Sequence, residues 1–150
     1  MERWQLLRKR HLTREGEARV VAAIGRAEAG NRGEVRVHLE SRYPGDGPLG
    51  RAAALFVELG MDATRDGTGV LLYVAVDDRK AAVFAGPGVH GAGEAGFWEG
   101  VVGEVAAGFA RGDRASGLVR AVERVGELLR VACPGEDAAG NELPNTVSMG

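Results

Sequence analysis

The stretch GVLLYVAV, residues 69–76, is apolar at almost every position. Successive side chains of a strand point to opposite faces, so a strand apolar on both must be covered on both. This run therefore predicts a central strand with helices packed against the sheet. Asp77, Asp78 and Arg79 then form a turn, and Lys80 to Ala85 returns as the hairpin partner.

The flanking segments supply the covering layers. Thr13 caps a helix running to about Ala29, with Glu15 and Glu17 in the first turn and Val20, Ile24 and Ala27 as its apolar stripe. EVRVHLE (residues 34–40) alternates strictly. Val35, Val37 and Leu39 face one way and Glu34, Arg36, His38 and Glu40 the other, which predicts a strand near an edge with one polar face. A short helix over residues 51–61 ends at Gly60 and buries Ala52, Leu55, Phe56 and Leu59.

Trp98, Val101, Val102, Val105 and Phe109 recur at helical spacing, and Gly100, Gly103 and Gly108 within that helix suggest close packing. Asp113 precedes a last helix with Leu118, Val122, Val125 and Leu129 on one face, ending near Cys133 because Pro134 follows. Helices alternating with a few strands predict an α/β fold, a three-layer α/β/α sandwich around a small mixed β-sheet. The chain of 150 residues reads as one domain over residues 13–134, with a basic segment at 1–12 and a polar, irregular tail at 135–150.

Several function classes are disfavoured. A net charge of −2 lacks the excess of cations that nucleic-acid binders use against phosphates. The single cysteine, Cys133, cannot form an intrachain disulfide or a Cys-rich zinc site and reads as an apolar filler. No stretch approaches the roughly 20 apolar residues of a membrane span. Charges occupy the N-terminal stretch where a signal peptide is apolar, so a cytoplasmic location is expected. The run Arg8-Lys9-Arg10-His11 reads as a solvated end, with membrane-surface contact through Trp4, Leu6 and Leu7 a minor alternative.

Gly86-Pro87-Gly88-Val89-His90-Gly91 matches G-x-G-x-x-G literally. A dinucleotide site needs that loop between the first strand and helix of a βαβ unit, and here the preceding strand is the return arm of a hairpin. What survives is weaker: the amides of Gly86 and Gly88, near a helix start, as anion donors. His90 in the same loop is a candidate ligand or acid–base group. His38 reads as an ordinary surface or hydrogen-bonded histidine, and Ser41 and Ser116 have no nucleophile context.

Asp77 and Asp78 admit two readings. Asp commonly caps its own turn. Alternatively, Asp77, Asp78, Asp113 and Glu34 stand at the ends of separate elements, where carboxylates can converge on a hard cation that takes about six to eight oxygens. Arg79 beside them suits bidentate contact with an oxyanion.

Taken together, GEVRVHLES, LGMDATRDGTGVLLYVAVDDRKAAVFAGPGV, FARGDRASGLVRAVERVGELL and the closing NELPN resemble the TPM domain, from about Thr13 to Asn145. That family is named after a thylakoid-lumen phosphatase, a photosystem-repair protein and a receptor-accessory protein. The chain is most similar to its soluble bacterial single-domain branch. The resemblance implies a sheet sandwiched by helices, a divalent-metal site with calcium (Ca²⁺) the usual ion, and in some relatives weak acid-phosphatase activity. Other relatives act in the assembly or repair of membrane complexes. Asp78 and Arg79 match the family's hairpin motif, Asp113 its GD motif and Glu34 its GE motif, while Asp77 falls in a variable slot.

Two functions are thus expected. One is a cation-binding module for a protein partner, with residues 141–145 and the basic first segment as contacts. The other is a weak metal-dependent phosphatase acting on a phosphate-containing ligand. In either, Asp78 and Asp113 hold the ion, and Asp77 or Glu34 serves as a further ligand or base.

Overall fold

The computed structural model describes residues 11–135 and 147–150. Its described elements are α1 (Arg14–Glu28), β1 (Glu34–Glu40), α2 (Pro48–Glu58), β2 (Gly69–Ala75), β3 (Lys80–Ala85), α3 (Phe97–Ala110), α4 (Arg114–Ala132) and β4 (Val147–Met149), with a 3₁₀ turn at Met61–Ala63. The strands form one sheet in the order β3-β2-β1-β4. β1 is parallel to β2 and to β4, and β2 is antiparallel to β3.

Three layers result. Val35, Val37 and Leu39 of β1, with Val70, Leu72 and Val74 of β2, pack against α1, α3 and α4. The opposite face, with Leu71, Tyr73 and Ala75, packs against Ala52, Leu55 and Phe56 of α2 and against Met61. Every residue of β2 is buried, as its apolar sequence requires. Among the described residues no helix is long and apolar enough to cross a membrane.

β1 stands next to the edge as expected, with the three-residue β4 paired to its outer side from Val37 to Leu39. Three local expectations change. Most of β1's polar face is buried: Glu34 is 2% exposed, and His38 and Glu40 are 6% each. The tail is not irregular throughout, since Val147–Met149 form β4 and satisfy part of β1's open hydrogen-bonding edge; the expected contacts at 141–145 lie outside the described residues. Of the basic run, residues 8–10 also lie outside them. His11 is buried rather than solvated, and its carbonyl oxygen accepts a hydrogen bond from Arg114 Nη1 at 3.0 Å.

α3 and α4 approach closely where Gly108 faces Gly117. A Cβ on Gly108 would lie 2.5 Å from the Gly117 Cα, so a side chain there meets backbone. Gly103, one turn earlier on α3, faces open space.

Candidate functional site

The parallel pair sets the geometry. Where β1 and β2 finish, the chain continues as Ser41-Arg42-Tyr43 and as the 76–79 turn, and the Val76 and Asp77 amides donate to the carbonyls of Glu40 and Ser41, each at 2.8 Å. Asp78 is half-buried against this crossover. Its Oδ2 accepts from the Tyr43 N–H at 2.9 Å and its Oδ1 from Arg42 Nη1 at 3.4 Å. Arg79 follows with φ of +55°, the only described non-glycine residue in the left-handed region. A side chain is uncommon in that conformation. Its N–H donates to the Val76 carbonyl at 3.2 Å and closes the turn.

Asp113 caps α4, its Oδ1 accepting from the Ser116 N–H at 3.4 Å. The hydrogen bond from Ser116, aided by the charges of Arg19 and Arg111, holds the exposed Asp113 carboxyl below its ordinary value. The next residue, Arg114, lines the same cleft as Arg79 and Lys80. Asp77, Asp78 and Arg79 thus stand at the carboxyl end of the β1–β2 pair and α4 starts on that side, but Asp113 lines a separate pocket with Thr13, Glu15 and Arg19.

The other expected residues do not join them. Glu34 opens β1 opposite Gly69, the first residue of β2. At about 3.3 Å per residue, it lies roughly 20 Å along the strand from Glu40 and the hairpin tip. The glycine loop follows the far end of β3, near Glu34. There the amides of Gly86 and Gly88 donate at 2.8 Å to the carbonyls of Gly69 and Gly67, so neither is left for an anion. Both positions lack room for a Cβ, which would collide with the Gly67 and Asp66 carbonyl oxygens respectively. Close backbone approach explains these glycines. His90 is exposed in the same loop, its carbonyl accepting from Trp98 Nε1 at 2.9 Å.

Among the described residues, no group of three or more His, Cys, Asp or Glu side chains stands together as a metal site. The expected four-carboxylate set thus does not fit calcium as one cage, because Glu34 is remote and Asp78 is turned toward Tyr43 and Arg42.

Sequence reasoning missed a buried polar network beneath α2. Glu40 Oε2 accepts from Arg51 Nε at 2.9 Å and from the Tyr73 hydroxyl, and Oε1 accepts from Arg51 Nη2 at 3.1 Å. His38 Nε2 lies 3.6 Å from Glu40 Oε1, and its Nδ1 is 2.7 Å from Ser148 Oγ on β4. Burial alone would raise the Glu40 carboxyl, but Arg51 and Tyr73 outweigh it and hold Glu40 below its ordinary value. Burial lowers His38 despite the opposing Glu40 charge, and burial followed by the Glu40 hydrogen bond raises Tyr73. The available signal was the lone tyrosine in an otherwise apolar strand, beside a strand whose polar residues all share one face.

A family model described as the TPM domain matches residues 8–128. No curated protein matches the chain. Among solved structures, the chain is similar to the BA42 protein of the psychrophilic bacterium Bizionia argentinensis, with 35% identity and a TM-score of 0.84 over 95% of this chain and 97% of that one. It also resembles the N-terminal domain of a P. gingivalis protein (19% identity, TM-score 0.68, 81% and 78% covered). A third is the N-terminal domain of cg2496 from Corynebacterium glutamicum (15% identity, TM-score 0.63, 79% and 74% covered). These last two likenesses concern the fold alone.

Proposed function

The chain belongs to the TPM domain family, and from that premise we propose that it is a non-catalytic binding module whose carboxyl-end loops take up a divalent cation, calcium by family resemblance. One observation supports the reading: Asp77 and Asp78 close the hairpin at the end of the sheet where the parallel strands finish, and Asp113 caps the helix that starts on that side. Open α/β sheets bind ligands in the crevice outside those strand ends. Asp78 and Asp113 supply the main carboxylates and Asp77 a further one. The ion orders the 76–79 turn against the start of α4 and so presents a defined surface to a protein partner. Because the acids are not preassembled, the ion must organise them, and affinity falls toward the weak end of calcium sites, about 10⁻⁴–10⁻³ M.

A binding role is favoured over hydrolysis because Glu34, one of the two expected bases, opens β1 at the end of the sheet opposite the hairpin tip. Calcium titration followed by amide NMR tests the site. Coupled shifts at residues 76–80 and at 113–116 support it, and shifts scattered over unrelated surface acids remove it. Hydrolysis of a generic phosphomonoester that is lost in Asp78→Ala would replace the module by a weak phosphatase.

A further inference from the structure

A cleft of about 690 Å³ runs between the tip of the β2–β3 hairpin and the second half of α3. Small-molecule sites occupy roughly 300–1,000 Å³. Val74, Val76 and Ala81 form its sheet side, and Val102, Val105 and Phe109 line the α3 side. Among the described residues its charged lining groups are all cations: Arg79, Lys80 and Arg114. All three stand at the hairpin end, since β3 leads away from that tip and α3 returns to it.

We infer that this cleft binds a straight-chain fatty carboxylate, with the acyl chain along the apolar walls and the carboxylate among the three cations. Val102 and Phe109 are only half-buried and Ala106 is exposed, so apolar surface remains for a ligand to cover. The α3 backbone is engaged within its helix, so along that wall a peptide would lose water from its N–H and C=O groups without replacement, whereas an acyl chain has no such groups. An anionic headgroup suits the cleft because its described charged lining residues are cations, and the carboxylate of Asp78 is turned to Tyr43 and Arg42 instead.

The inference does not depend on the cation proposed above, and its test is run in EDTA. Dodecanoate, kept below its micellar concentration, is titrated into the ¹⁵N-labelled full chain. Shifts are expected at residues 79–81 and 102–110. Affinity should rise by up to about fourfold per methylene from octanoate to dodecanoate. The double variant Arg79→Glu/Lys80→Glu should weaken dodecanoate binding at least tenfold, and dodecyltrimethylammonium should bind at least tenfold more weakly than dodecanoate. Ala106→Trp, at an exposed position, should block the cleft while retaining the dispersed spectrum of the folded chain. Equal affinity for octanoate and dodecanoate, equal affinity for the cationic amphiphile, or wild-type affinity in either variant overturns the assignment. Calcium titration of the same samples reads the other site separately, so failure of one leaves the other standing.

Discussion

Tyr73, whose register partner across the parallel pair is His38, directs its hydroxyl past that histidine to Glu40, two residues further along the same face. The tyrosine and histidine rings stack, with centroids 6.1 Å apart and planes within 12°. Glu40 thereby gathers Tyr73 from the neighbouring strand and Arg51 from α2, tying the sheet to its covering helix.

Removing either donor should destabilise the chain by different amounts. Tyr73→Phe loses one hydrogen bond to a charged acceptor and should cost about 1.5–3 kcal/mol. Arg51→Met leaves a buried carboxylate without its counter-charge and should cost about 3–5 kcal/mol. Urea unfolding of the two variants against wild type measures both, and equal losses would contradict a charge-compensating role for Arg51.

The network also sets a pH dependence. Burial lowers His38 from 6.5 although Glu40 opposes it, so the unfolded chain binds the proton more readily. Stability from the neutral ring is fully present above 6.5 and declines as pH falls through the folded value. Glu40 is likewise lowered from 4.5, so its contribution is present above 4.5 and fades as pH falls through the folded value. The groups facing His38 are Glu40, Tyr73, Arg51 and Arg36. Urea midpoints should therefore fall from pH 7.5 to 5.5, and His38→Asn should flatten that part of the curve while leaving the more acidic limb.

The two glycines of α3 should respond in opposite directions to alanine. Gly103 faces open solvent in mid-helix, and Gly103→Ala should stabilise by about 0.5–1 kcal/mol. Gly108→Ala pushes a methyl into the Gly117 backbone and should destabilise by about 1–3 kcal/mol or more. Thermal melts decide the signs.

Asp78 carries a structural and a proposed ionic role, which two variants separate. Asp78→Ala removes the acceptor for the Tyr43 N–H and should cost about 1–2 kcal/mol. Asp78→Asn keeps a carbonyl oxygen there and should cost less. Both should lose the calcium-induced amide shifts, because both lose the charge. Retained shifts in Asp78→Asn would move the ion elsewhere.

The parts of this fold legible in the sequence were those encoded by local pattern. The apolar run around Leu71 and Leu72 gave away a strand covered on both faces, and Thr13 and Asp113 marked two helix starts. The alternation of Glu34, Arg36, His38 and Glu40 showed that four polar groups share a face, but not that Glu34, His38 and Glu40 are buried. The partner that makes burial tolerable, Arg51, comes from another element. Gly86 and Gly88 looked like anion donors because their close approach to Asp66 and Gly67 exists only once the hairpin is in register. β4 spans three residues, too few to show a period. Motif matching grouped Glu34 with Asp78 by residue type, although the start of one parallel strand and the end of its neighbour lie at opposite ends of a sheet.

The position of β4 bears on the order in which the molecule assembles. Ser148 and His38 are separated by 110 residues along the chain, whereas β2 and β3 meet through a four-residue turn. Closing so long a loop is entropically expensive, so the final strand docks late, onto a hairpin and helices already in place. By the same reasoning it detaches early: the Gly150 amide, bonded to the Leu39 carbonyl at 2.8 Å, should exchange its hydrogen with solvent well before the amides of β2. The strand that arrives last is thus also the one that breathes.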